Sequence, residues 1–170
     1  MDLKDKIRVI EDFPEPGISF KDITTVLKDP TYLKEAIDQL TEDYIEADID
    51  IVVGPESRGF IFGTPIAYKL NAGFVPVRKP GKLPAETVKL EYALEYGKDA
   101  LEIHKDAINP GDKVLIVDDL LATGGTISAT IQLIESLGGV VAGVVFFIEL
   151  LDLNGRDKIK NYPVKSMIKY

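Results

Sequence analysis

The sequence predicts an α/β protein built on a mainly parallel, twisted sheet flanked by helices. Three observations carry that expectation. Short β-branched runs alternate with amphipathic helical segments. The runs are nearly all apolar, as strands buried on both faces are. One of them, from Val114 to Asp119, leads through a glycine-bearing turn into a helical pattern.

The elements follow in chain order. After Pro30-Thr31, the residues Leu33, Ala36, Ile37, Leu40 and Tyr44 recur at helical spacing, with Glu35, Asp38, Glu42 and Asp43 between them. That pattern predicts an amphipathic helix of about four to five turns. Ile51-Val52-Val53-Gly54 reads as a short buried strand, and Arg58 to Leu70 as a second helix that Pro65 would kink or shorten. Gly73 to Val77 is a second strand, with its proline near one end. The stretch from Arg78 to Ala93 differs in kind. It holds Lys79, Pro80, Gly81, Lys82 and Pro84, and then alternates from Thr87 to Tyr92 like an exposed strand. Asp99 to His104 alternates too, with Leu101 and Ile103 on one face and Glu102 and His104 on the other. A basic excursion of this length between core elements marks a mobile functional loop. Asn109 to Asp112 is a turn. The run Lys113 to Asp119 is a strand closed by two carboxylates, Thr126 to Leu137 a helix ended by Gly138-Gly139, and Val140 to Leu150 a further buried strand. From Asn154 to Tyr170 the pattern gives a short helix and one more strand, with no assignable chemistry.

At 170 residues with 45% apolar and 28% charged composition, the chain suits one domain spanning residues 1–170, with the excursion of about 78–97 inserted in it. There are no cysteines, which excludes disulfide scaffolds, thiol nucleophiles and thiolate metal sites. The single histidine, His104, excludes a histidine-rich metal cluster and sits on the polar face of its strand. A net charge of −8 has the wrong sign for general nucleic-acid or anionic-membrane binding. An anionic ligand must therefore be held by local features. The N-terminal MDLKDKIRVIEDF is acidic and broken by charge, unlike a signal peptide, and no apolar run reaches the ~20 residues of a membrane span. A cytoplasmic protein is expected.

The segment VLIVDDLLATGGT, Val114 to Thr126, is the most informative. In an open parallel sheet ligands bind beyond the carboxyl ends of the strands, where this segment leaves its strand. Its glycines let several N–H groups converge, and the helix N-terminus adds partial positive charge. A phosphate monoester fits that cradle, with hydroxyl donors from Thr123 and Thr126. Asp118 and Asp119 stand too close to a dianion unless something neutral lies between; a ribose diol, donating two hydroxyl protons to carboxylates, does so. No Walker A or G-x-G-x-x-G pattern is present. A plain tight turn with a solvated acid pair, or a receiver-type acid pocket, are the alternatives. The second would place its pair after the first strand, with the phospho-acceptor well downstream.

VLIVDDLLATGGT resembles the phosphoribosyl-pyrophosphate motif of the type I phosphoribosyltransferases. Four further blocks in order resemble the adenine-using branch of that family: PGISFKDITTVLKDP (Pro16 to Pro30), GPESRGFIFG (Gly54 to Gly63), VRKPGKLPAET (Val77 to Thr87) and EYALEYG (Glu91 to Gly97). The resemblance runs from about residue 7 to 150, with Lys21 where relatives often carry arginine.

The resemblance implies the family fold with a flexible hood. It implies transfer of phosphoribosyl from 5-phosphoribosyl-1-pyrophosphate to adenine, giving AMP and pyrophosphate, a step of purine salvage. Asp118 and Asp119 would hold the ribose hydroxyls, and Ala122, Thr123, Gly124, Gly125 and Thr126 the 5-phosphate. Glu56, Ser57 and Arg58 match the pyrophosphate loop, with a non-proline cis peptide expected at Glu56-Ser57; an ion pair between Arg58 and Glu56 is the alternative. Arg78, Lys79 and Lys82 would approach pyrophosphate as the hood closes. Glu95 and Tyr96 match the family's Glu-Tyr, with Glu95 the candidate acid/base, or else an exposed strand residue. Ile18, Phe20 and Lys21 match the segment that sandwiches the purine, although Phe20 could equally anchor a core. Arg58, Lys79 and Glu95 are thus the catalytic candidates. The resemblance further implies Mg²⁺ held mainly through the substrate, rather than by a protein ligand set, and a homodimer. A nucleotide-responsive regulator without catalysis, or an enzyme for another base such as xanthine, are the competing readings.

Overall fold

A computed structural model of the protein describes residues 2–94 and 97–170. The chain divides into two compact units, Met1–Gln39 and Leu40–Tyr170.

In the first unit, β1 (Arg8–Ile10) and β2 (Phe20–Asp22) pair antiparallel, Arg8 opposite Asp22. Asp22 is buried and fully engaged. Its carboxylate accepts from Arg8 Nε at 2.8 Å, from the Thr24 N–H at 2.9 Å and from the Thr24 hydroxyl at 2.7 Å. Together these set the start of the single turn α1 (Thr24–Leu27). Alternation does not announce β1 and β2, because three-residue strands are too short to show a period. The helix α2 (Pro30–Thr41) starts where Asp29 accepts from the N–H groups of Thr31 and Tyr32, with Pro30 at the first helical position. It is shorter than the apolar spacing predicts, because Glu42–Tyr44 tightens into a 3-10 turn.

The second unit is built on a sheet of β3 (Ile51–Pro55), β4 (Gly73–Val77), β7 (Lys113–Leu121), β8 (Val140–Glu149) and β9 (Val164–Lys169). Among the described residues these five run in the order β4-β3-β7-β8-β9, and every neighbouring pair is parallel. The connection from β3 to β4 through α3 (Arg58–Lys69) runs one way, and that from β7 to β8 through α4 (Gly125–Ser136) runs the other. Right-handed crossovers in opposite directions put the two helices on opposite faces. The core agrees. Val114 and Ile116 of β7 join the cluster containing Ile127, Ile131 and Ile134 of α4, while Phe62 of α3 lies 5.0 Å, ring to ring, from Phe147 of β8. The order reverses between β3 and β7, so their carboxyl ends diverge and leave a crevice.

Pro65 does not shorten α3, which starts at Arg58 and runs through it. The carbonyl deprived of its donor belongs to Ile61, which is 40% exposed, so water can serve it. The basic excursion becomes an antiparallel ribbon, β5 (Thr87–Leu94) with β6 (Gly97–His104), paired from Thr87–His104 to Leu94–Gly97. Its inner face is core: Leu101 and Ile103 are fully buried, and Val88, Leu90 and Tyr92 pack on the α4 cluster. Alternation there reports a half-buried ribbon. Among the described residues no helix is long and apolar enough to cross a membrane.

Candidate active site

The crevice between β3 and β7 collects most of the candidates. β3 ends at Pro55, and the chain turns through Glu56 and Ser57, joined by a cis peptide, into α3 at Arg58. That turn is compact because Gly59 lets it close: a Cβ there would stand 2.9 Å from Pro55 Cδ and 3.1 Å from the Val117 carbonyl. Opposite it, β7 delivers Asp118 and Asp119 before reaching Leu121. Glu56, Ser57, Arg58, Asp118, Asp119 and Thr126 line one cavity of about 470 Å³. A second, of about 90 Å³, is lined by Asp118 and by the loop Leu120 to Ile127, which includes Ala122, Thr123, Gly124 and Gly125.

The smaller cavity lies where the TGGT pattern predicts an anion cradle. Gly124, left-handed at φ 84°, stands at the N-cap of α4. The helix's first turn leaves N–H groups without intrahelical acceptors, and its dipole favours an anion there. The reason for glycine is tertiary as well as local: a Cβ at Gly124 would lie 2.6 Å from the carbonyl oxygen of Gly155. Gly155 is itself buried, and a Cβ on it would come 2.4 Å from the Ala122 carbonyl. Behind that turn Glu149, 3% exposed, takes Arg156 by two bonds of 2.7 and 2.9 Å. Arg156 also donates to the Val164 carbonyl and to Ser166. The loop thus has a rigid backing.

The two aspartates differ electrostatically. Asp119 is buried and ion-paired with Arg58 Nε at 2.7 Å. Burial, and then the negative charge of Asp119, push the Asp118 carboxyl well above the usual carboxylate range. Arg58 thus has an ion pair with Asp119, where sequence proximity suggested Glu56. Glu56 instead meets Arg78 and Lys79. The Lys79 ammonium is held by Asp99, whose carboxyl it keeps below its ordinary value.

Tyr92 and Gly155 escaped sequence reasoning. The Tyr92 hydroxyl lies 3.4 Å from the Thr126 hydroxyl and 3.3 Å from Asp99 Oδ2, linking the ribbon to the cradle. The alternation from Thr87 to Tyr92 reads as an exposed strand and does not show what Tyr92 meets. Lys82 is exposed and lines neither cavity. His104 accepts from the Ala85 N–H at 3.3 Å and lines neither. Ile18, Phe20 and Lys21 belong to the Met1–Gln39 unit, where Phe20 meets Phe13 edge to face with ring centres 5.2 Å apart. Glu95 and Tyr96 lie outside the described residues.

The phosphoribosyl transferase domain family matches residues 24–169. Over all 170 residues the chain is 65% identical to the adenine phosphoribosyltransferase of Clostridium perfringens, covering 99% of it. It is 64% identical to that of Alkaliphilus metalliredigens, covering 100% of each. The chain belongs to the adenine phosphoribosyltransferase family. The fold agrees: the crystal structure of the adenine phosphoribosyltransferase from Thermoanaerobacter pseudethanolicus superposes with a TM-score of 0.94 at 56% identity, covering 99% of this chain and 98% of that one. The Saccharomyces cerevisiae adenine phosphoribosyltransferase, solved with an imino-altritol bisphosphate and adenine, gives 0.90 at 44% identity over 95% and 94% of the chains. The strand end, the acid pair and the TGGT loop form one continuous segment here, from Val114 to Thr126.

Proposed function

We infer that the protein transfers the 5-phosphoribosyl group of phosphoribosyl pyrophosphate to adenine, forming AMP and pyrophosphate. The observation that carries this is the adjacency of two differently built cavities, an anion cradle at Gly124 and a larger space between an acid pair and Arg58. A sugar phosphate bearing a second anionic group needs that combination. Breaking the C1–O bond puts positive charge on the ribose and negative charge on the leaving pyrophosphate. Asp118 and Asp119 accept from the ribose hydroxyls and favour the first charge; Arg58, Arg78, Lys79 and Lys82 oppose the second. Ala122 to Thr126 take the 5-phosphate, and Glu56 and Ser57 border the pyrophosphate. Glu95 exchanges a proton with the purine imidazole, with Tyr96 beside it in the sequence. Ile18, Phe20 and Lys21 contact adenine. These assignments rest on resemblance and on the chemistry of each side chain. Closure of the 78–97 hood excludes water that would hydrolyse the activated sugar.

Mg²⁺ fits this reading as a substrate-borne ion. Asp119 is already engaged by Arg58, so the acid pair suits a cation that arrives on pyrophosphate and ribose oxygens better than one caged by protein. When bound, the ion neutralises charge on the leaving group. A homodimer and a cytoplasmic location belong to the same proposal.

The test follows pyrophosphate release with adenine, hypoxanthine, guanine and xanthine in the presence of phosphoribosyl pyrophosphate and Mg²⁺. Turnover with adenine alone is expected. Turnover with another base overturns the adenine assignment of Ile18, Phe20 and Lys21. Tight binding without turnover moves the protein to the regulators.

A further inference from the structure

Glu56 sits badly with a role as a pyrophosphate ligand, because a carboxylate beside that subsite repels the anion it is meant to hold. Its observed partners point elsewhere. The Glu56 N–H donates to the Val77 carbonyl at 2.9 Å, tying the turn after β3 to the end of β4. Its Oε1 accepts from the Lys79 N–H at 2.6 Å and from Arg78 Nε at 3.3 Å. The first of these is short, as expected when a charged acceptor meets a backbone donor. Arg78 is held independently at its backbone, exchanging bonds of 3.0 and 2.8 Å with Glu102, and its guanidinium lies 6.0 Å from the Phe60 ring. Lys79 is held at its other end by Asp99. Glu56 is thus the acceptor that joins the first two residues after β4 to the turn carrying Ser57 and Arg58.

We propose that Glu56 is a positioning residue: its carboxylate fixes Arg78 and Lys79 against the Ser57–Arg58 turn, so that cations from two separate segments serve one pyrophosphate. This rests on reading that turn as the pyrophosphate subsite. Without the carboxylate, Arg78 regains its rotamer freedom and the Lys79 N–H loses its acceptor. Ordering both again falls to the substrate.

The experiment measures KM for phosphoribosyl pyrophosphate and for adenine, and separately the calorimetric Kd of pyrophosphate, in the wild type, Glu56→Ala, Glu56→Gln, Arg78→Ala and the Glu56→Ala/Arg78→Ala double variant. Glu56→Ala is expected to weaken phosphoribosyl pyrophosphate and pyrophosphate about tenfold, a loss typical of a charged hydrogen bond, with adenine changed less than twofold. Glu56→Gln, which keeps Oε1 as an acceptor, should stay within roughly threefold of wild type, fixing the role as geometric. The double variant should be weaker than Arg78→Ala alone by less than the roughly tenfold that Glu56→Ala costs in the wild type, because part of that cost runs through Arg78 and coupled residues are not additive. The proposal is overturned if Glu56→Ala leaves pyrophosphate binding unchanged or tightens it, which would make the carboxylate only a repulsive neighbour. It is equally overturned if Glu56→Gln is as impaired as Glu56→Ala, or if adenine is weakened as much as pyrophosphate. A wild type that neither binds pyrophosphate nor turns over adenine removes the functional reading itself, a result separate from any difference among variants.

Discussion

Asp118 and Asp119 carry the same side chain into different surroundings. Arg58 compensates Asp119, whereas Asp118 is raised by burial and by its neighbour's charge. Between the ordinary aspartate value and that raised one, the folded protein keeps a proton that the unfolded chain has lost. Stability therefore declines as pH climbs across that window, and Asp118 becomes a cost to the fold above the ordinary aspartate value. Asp118→Asn is expected to raise Tm at pH 8 while lowering kcat/KM roughly 100-fold, on the proposal that this carboxyl faces the ribose; thermal scans and steady-state kinetics on one preparation check both. Asp22 works in the opposite sense. The Thr24 hydroxyl and N–H, with the Arg8 guanidinium, hold its carboxyl at about 2. Its contribution is full above the unfolded value of 3.8 and is lost as pH falls toward 2. Asp22→Asn should cost about 1–2 kcal/mol in urea unfolding at pH 7, and the difference should close as the titration reaches pH 2.

At the scale of elements, the anion cradle is a loop clamped between a helix and a distant turn. The TGGT pattern makes half of this visible, because a left-handed glycine before a helix is a local requirement. The other half, Gly155 pressed on the Ala122 and Gly124 backbones, is invisible in the sequence. Nothing local to Asn154-Gly155-Arg156 says which carbonyls it will meet. Gly155→Ala places a Cβ 2.4 Å from the Ala122 oxygen, so either the loop or the turn must move. The expected cost is about 1–3 kcal/mol in stability, with KM for phosphoribosyl pyrophosphate raised at least tenfold and that for adenine nearly unchanged. The β5–β6 ribbon meets the same loop through Tyr92, whose hydroxyl lies 3.4 Å from that of Thr126, a length that marks a weak contact. Tyr92→Phe should accordingly raise KM for phosphoribosyl pyrophosphate only about two- to threefold, read in the same assay.

For the molecule as a whole, net charge −8 opposes polyanions at long range, so affinity for a sugar bearing a phosphate and a pyrophosphate must come from local cations and N–H groups. Raising phosphoribosyl pyrophosphate to 100 times its Kd should stabilise the fold by ~2.7 kcal/mol, which for a chain of this size moves Tm by roughly 5–10 °C. The single-domain reading expects that shift in one calorimetric transition. Two transitions, only one of them moved by the ligand, would show that the Met1–Gln39 and Leu40–Tyr170 units unfold separately.

The alternation of strands and helices, the TGGT loop and the acid pair are legible in the sequence, because each depends on neighbours within a dozen residues: a period of hydrophobicity, a left-handed glycine before a helix, two carboxylates at a strand end. The sequence does not reveal the pairing of Arg58 with Asp119, the contacts of Glu56, the inward face of the ribbon or the backing at Gly155. Those were decided by the reversal of strand order between β3 and β7 and by the docking of later segments. Which charge neutralises which is a matter of distance in space, and distance in space is what the fold supplies.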